Sequence, residues 1–156
     1  MKRIRSFDVD HNKLNEGMYI SRIDGDVVTY DLRFCKPNTG VILDNSAIHT
    51  TEHMLATFTR NSEIADEVVY FGPMGCQTGF YFLVRDKVSK MKVLEIIKKA
   101  LKDTIEYTGE VFGASEVECG NYRNLDLEAA KRICSSYLNI LEKVEDVIDY
   151  DAVMKA

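Results

Sequence analysis

The chain has 156 residues, 46% of them hydrophobic and 29% charged, with a formal net charge of -5. That is the length of one ordinary domain, with enough apolar residues to bury a core unaided. The acidic balance argues against nucleic acid or an anionic membrane as the main partner, and no apolar run is long enough to span a bilayer.

The N-terminal stretch MKRIRSFDVD is basic but has no apolar segment behind it, so it does not read as a signal peptide. A cytoplasmic protein is the expectation. In VVTYDLRF, Val28, Tyr30, Leu32 and Phe34 alternate with Thr29, Asp31 and Arg33, the period of a half-buried strand. The preceding MYISRI ends at Asp24-Gly25, a hairpin turn signal, so two antiparallel strands are predicted there. Asp44, Asn45 and Ser46 can each cap a helix that runs to about Asn61. On it His49, His53, Ala56 and Arg60 share one stripe, and Ile48, Leu55 and Phe58 another. VVYF reads as a short strand, GPMGCQTG as a glycine-rich turn and FYFLV as a strand apolar on both faces.

Val93, Ile96, Ile97, Ala100 and Leu101 give the segment from Ser89 to Tyr107 an amphipathic helical face. A further strand is predicted around Glu110 to Ala114. A last long helix starts near Asp126, with Ala130, Ile133, Cys134, Tyr137, Leu138 and Leu141 on one side. Strands and helices mix without strict βαβ alternation, which points to an α+β fold: one domain over residues 1–156, an antiparallel sheet packed against helices.

The chemistry centres on HTTEH. His49 and His53 lie one helical turn apart and can grip one ion, with Glu52 beside them. The bland alternative is two ordinary histidines at this spacing; against it, the chain has only three histidines in all. A catalytic site needs a third ligand, a carboxylate or a thiolate, and a position left open. Of the four cysteines, Cys134 lies on an apolar helical stripe and Cys35 at a strand end, both places for packing. Cys119, in the polar segment ECGNYRN, does not fit an apolar pattern. Cys76 follows Pro73-Met74-Gly75 in a tight turn, either as a buried structural thiol or as a free-standing nucleophile.

Five blocks in order, SFDVDH, YDLRFCKPN, IHTTEHMLATFTRN, GPMGCQTGFY and ECGNYRN, resemble the S-ribosylhomocysteine lyases, the LuxS family that forms the autoinducer-2 precursor. The resemblance implies that His49, His53 and Cys119 are metal ligands, with Fe2+ the usual ion and zinc or cobalt as substitutes. It implies that Glu52 and Cys76 are catalytic, and that Ser6, His11 and Arg33 contact the substrate. It also implies a homodimer with active sites at the interface. Two positions depart from the family pattern: Tyr70 and Gly72 stand where an Asp and a Ser are common.

The letters HxxEH also sign small metallopeptidases, in which Glu52 would activate a zinc-bound water. That reading leaves GPMGCQTG and ECGNYRN unexplained. A third reading is a metal-binding domain that kept the site and lost turnover, for which Tyr70 and Gly72 are the motive.

Overall fold

The computed structural model describes residues 1–155. Five strands, β1 (Gly17–Asp24), β2 (Val27–Arg33), β3 (Val68–Pro73), β4 (Gly79–Arg85) and β5 (Ile148–Asp149), form one sheet in the order β3-β4-β2-β1-β5. The helices are α1 (Arg5–Asp8), α2 (Asn45–Arg60), α3 (Lys90–Glu106), α4 (Leu127–Leu141) and α5 (Tyr150–Lys155). The predicted hairpin is β1 and β2, paired antiparallel, with Gly25 at a φ of 59° in the turn. β4 pairs antiparallel with both β2 and β3, and only the two-residue β5 runs parallel to its neighbour β1. The α+β expectation holds.

Each strand turns alternate residues to opposite faces. From β1, β2 and β4 the side chains of Met18, Val28, Tyr30, Leu32, Phe80, Phe82 and Val84 enter the main core. There they meet Ile48 and Leu55 of α2, Val93, Ile96, Ile97 and Leu101 of α3, and Cys134, Tyr137 and Leu141 of α4. The three helices therefore cover one face because each carries an apolar stripe at helical spacing. Ser89 caps α3, its hydroxyl accepting from Lys92 N–H at 3.2 Å, and Asp126 caps α4 by accepting from Ala129 N–H at 3.1 Å. Asp44 occupies the cap position of α2, but its side chain makes no capping bond.

The opposite face differs from the half-exposed strand expected for VVTYDLRF. Asp31 and Arg33 are 0% and 1% exposed, so β2 is buried on both sides. The cover is a second apolar cluster of Val9, Leu14, Tyr19, Tyr150 and Val153, in which α5 lies against the N-terminal segment. Lys13 Nζ donates to the Met154 carbonyl at 3.0 Å, and Arg5 pairs with Asp151 at 2.9 Å, joining the two ends of the chain.

The strand predicted at Glu110 to Ala114 is absent: these residues lie in the loop between α3 and α4, with a turn at Phe112 and Gly113. Gly113 takes a φ of 70°, which breaks an extended run, and Phe112 turns inward to pack edge-on against Phe58 at 5.3 Å. The element is a loop with an aromatic anchor, and its position matters for the site.

Candidate functional site

α2 presents His49 and His53 on one face, their ring centroids 4.7 Å apart. The loop before α4 brings Cys119 to them: its Sγ lies 3.3 Å from His49 Nε2. Cys119 itself is held by a turn in which its N–H donates to the Ser115 carbonyl at 3.0 Å. One ligand atom from each of His49, His53 and Cys119 falls within 4.8 Å of the others, the spacing of a group that could hold a metal ion.

The outer contacts decide how these rings are used. His49 Nδ1 hydrogen-bonds with Asn124 Oδ1, and His53 Nδ1 lies 2.7 Å from the Phe112 carbonyl oxygen. An imidazole that donates through Nδ1 keeps Nε2 as its lone-pair donor, so both rings are oriented as metal-binding histidines usually are. Asn124 is itself fixed by donating from Nδ2 to Asn45 Oδ1 at 3.0 Å. Two imidazoles and one thiolate are a chemically sound donor set for a divalent transition metal with a position left open. Asn124 and the Phe112 carbonyl escaped sequence reading. Asn124 lies in the quoted ECGNYRN block, whereas a backbone carbonyl leaves no signature in sequence.

Cys76 sits at the exposed turn between β3 and β4. The turn is closed by Met74 N–H to the Gly79 carbonyl at 2.9 Å and passes through Gln77 at a φ of 61°. Gly79 faces Arg33 across the ladder, and any Cβ there would run into the Leu32 carbonyl. The close approach of the two strands therefore requires glycine. It sets Arg33 beside the turn: Nη1 donates to Thr78 Oγ1 at 2.8 Å and stands 4.0 Å from Cys76 Sγ. Thr78 Oγ1 is also 3.0 Å from that sulfur. Burial works against the Arg33 charge, but the Asp31 carboxylate, at 2.6 Å, outweighs it and holds the guanidinium pKa above the usual arginine value. A permanent cation thus faces the Cys76 sulfur across 4.0 Å.

A cavity of about 370 Å³ opens on this group, lined by His11, Arg33, Pro37, Val41, Cys76 and Thr78 among others. His11, Arg33 and Cys76 are thereby brought together. Ser6 lies on α1 and is not among the residues lining this cavity. Glu52 is half-buried on α2 beside His53. The cavity does not include the metal-donor group, but the two are tied: Leu43 N–H donates to the Gln77 carbonyl at 2.9 Å, just ahead of α2. Tyr70, on the edge strand, is 52% exposed, and its ring lies where a Cβ on Gly72 would be. The two departures from the family pattern are therefore one steric arrangement.

The S-ribosylhomocysteinase (LuxS) family model matches residues 4–148. The chain belongs to the S-ribosylhomocysteinase family. It is 42% identical over 151 residues to the S-ribosylhomocysteine lyase of Borreliella afzelii, covering 94% of this chain and 96% of the relative. The S-ribosylhomocysteine lyase of Desulfotalea psychrophila is 43% identical over 153 residues, covering 92% and 96%. That of Finegoldia magna is 42% identical over 150 residues, covering 93% and 95%. The S-ribosylhomocysteinase match takes in both the metal-donor group and the Cys76 turn, and it ends before Tyr150.

Proposed function

We propose that this chain is an S-ribosylhomocysteine lyase, a carbon–sulfur lyase that cleaves S-ribosylhomocysteine to homocysteine and 4,5-dihydroxy-2,3-pentanedione, the autoinducer-2 precursor. The observation that carries the reading is the near full-length match to enzymes of that name, together with a three-donor group at the expected positions. His49, His53 and Cys119 are read as the ligands of one Fe2+ per chain, with Zn2+ or Co2+ able to take its place. The domain spans residues 1–156 and works in the cytoplasm.

The chemistry follows from the substrate. Homocysteine sulfur is bonded to C5 of a ribose, and it leaves readily only if a carbanion forms at C4. The carbonyl must therefore move from C1 to C3. When bound, the metal supplies a Lewis acid that polarises the sugar's carbonyl and hydroxyl oxygens. Cys76, as thiolate, removes the proton at C2 and returns it at C1, leaving the ketone at C2. The same shift repeated puts the ketone at C3 and acidifies C4. Glu52 takes the C4 proton, the C4–H electron pair forms the C4–C5 double bond, and homocysteine departs from C5 as the thiolate with the C–S pair. The double bond is an enol, which becomes the second ketone by proton transfer. Each step moves protons, so no redox cofactor is needed.

Arg33 holds negative charge on Cys76 and, with His11 and Ser6, orients the substrate. The active unit is read as a homodimer with its sites at the interface. In support, Val41 and Ile42, which rim the Cys76 cavity, are 63% and 55% exposed, apolar surface that a second chain would cover. The peptidase reading has no place for the Cys76 turn. The test is product identity: metal-loaded protein incubated with S-ribosylhomocysteine should yield homocysteine and 4,5-dihydroxy-2,3-pentanedione by mass spectrometry. Intact substrate after prolonged incubation would leave the metal-binding reading in its place.

A further inference from the structure

A continuous polar chain runs from the C-terminal helix to the Cys76 turn beneath the cover of the second apolar cluster. The Tyr150 hydroxyl donates to Asp31 Oδ2, the same oxygen that Arg33 Nη2 reaches at 2.6 Å. Arg33 Nη1 then donates to Thr78 Oγ1 at 2.8 Å and faces Cys76 Sγ at 4.0 Å. Tyr150, Asp31 and Arg33 are all buried, at 3%, 0% and 1% exposure. Among the described residues Asp31 Oδ1 and Arg33 Nε have no hydrogen-bond partner, so the bonds that do form carry the whole orientation of the fork. Burial first, then the Asp31 charge and hydrogen bond, raise the Tyr150 pKa, which keeps the hydroxyl a donor.

A guanidinium is a rigid plane: fixing Nη2 fixes where Nη1 points. We propose that Tyr150 and Asp31 are positioning residues, which hold the Arg33 fork against Cys76 and so make the C-terminal helix part of the catalytic machinery. The proposal rests on the reading of Cys76 as the catalytic thiolate. Tyr150 lies beyond residues 4–148 matched by the family model.

Tyr150 withdraws charge from the Asp31 carboxylate. Without it, that carboxylate draws the guanidinium back and screens it more fully, and the positive potential at the sulfur falls. The test is the rate at which iodoacetamide alkylates Cys76 in the folded, metal-loaded protein at one fixed pH, read on the Cys76 peptide by mass spectrometry. Tyr150→Phe is expected to slow alkylation about three- to tenfold and to lower kcat with KM little changed. Val153→Ala loosens the same helix without touching the polar chain and should keep the wild-type rate. In an Arg33→Lys background, which keeps the charge but not the fork, Tyr150→Phe should add no further slowing.

A wild-type alkylation rate in Tyr150→Phe, equal slowing in both backgrounds, or equal slowing by Val153→Ala would overturn the proposal. If Tyr150→Phe does not fold, Asp31→Glu replaces it, with the carboxylate displaced by one methylene; slowing is again expected, and a wild-type rate again contradicts it. Alkylation needs no S-ribosylhomocysteine. A protein that fails to release homocysteine but shows the expected alkylation series loses the proposed function and keeps the positioning chain.

Discussion

His53 Nδ1 lies 2.7 Å from the carbonyl oxygen of Phe112, a residue of the loop where a strand was expected. The contact exists because Gly113 turns the backbone at a φ of 70° and Phe112 anchors on Phe58. A Cβ on Gly113 would stand 3.2 Å from His53 Nδ1. Gly113→Ala therefore strains the turn and presses on the His53 ring. Metal affinity should drop by roughly ten- to a hundredfold, as is usual when outer-shell partners of a ligand are disturbed. Competition with a chromophoric chelator measures it, and unchanged affinity would remove the carbonyl from the account.

Asn124 offers an independent check on the other ring, since its Oδ1 is the partner of His49 Nδ1. Asn124→Ala should weaken metal binding over the same range of about ten- to a hundredfold. Cys119→Ala should lose the metal outright, whereas Cys76→Ala, whose sulfur lines a different cavity, should retain it. Metal content after desalting distinguishes the three. Equal metal loss in the two cysteine variants would argue against separate ligand and base roles.

Both legible and illegible parts of the molecule follow from the range of the interactions involved. The β1–β2 hairpin and the helices announce themselves through local periodicity and caps such as Ser89 and Asp126. His49 and His53 are visible because a helix repeats every turn. Cys119 is 70 residues from His49 in sequence, and only the resemblance joined them. The apparent strand at Glu110 to Ala114 failed because Phe112 packs on Phe58 and turns its carbonyl to His53, not to a neighbouring strand. Likewise Asp31 and Arg33 look like the wet face of β2; what covers them is α5 together with the N-terminal segment, short pieces with no periodicity of their own.

Alkaline pH should destabilise the fold in a predictable direction. Burial pushes the Tyr137 hydroxyl well above its ordinary value and the Cys134 thiol up to about 12. Both groups are neutral when protonated and bind their proton more tightly folded than unfolded. Their contribution is therefore complete below the unfolded values, about 8.5 for cysteine and about 10 for tyrosine, and is lost as pH rises towards the folded ones. Urea denaturation should show stability falling from about pH 9 upward, each group adding a slope of up to about 1.4 kcal/mol per pH unit once its unfolded value is passed. Tyr137→Phe should flatten the curve above about pH 10. A curve of the same slope in that variant would show that Tyr137 is not responsible.

Tyr70 and Gly72 should behave as a coupled pair. Adding a side chain at Gly72 meets the Tyr70 ring, so Gly72→Ser should cost about 1 kcal/mol, the small end of overpacking because an exposed ring can swing away. In a Tyr70→Asp background that cost should vanish. Thermal denaturation of the single and double variants gives the coupling directly, and strictly additive effects would mean that the two positions are independent.

Thiol release under exclusion of oxygen separates a working lyase from a metal-binding domain without turnover. The protein is loaded with Fe2+, S-ribosylhomocysteine is added, and free homocysteine is followed with a thiol reagent beside the metal content of the same sample. Release should be metal-dependent in the wild type and at least about a thousandfold less in Cys76→Ala (on the order of 4 kcal/mol of lost transition-state stabilisation), with the metal still bound. Near-normal release from metal-loaded Cys76→Ala would contradict the role of Cys76 as the base.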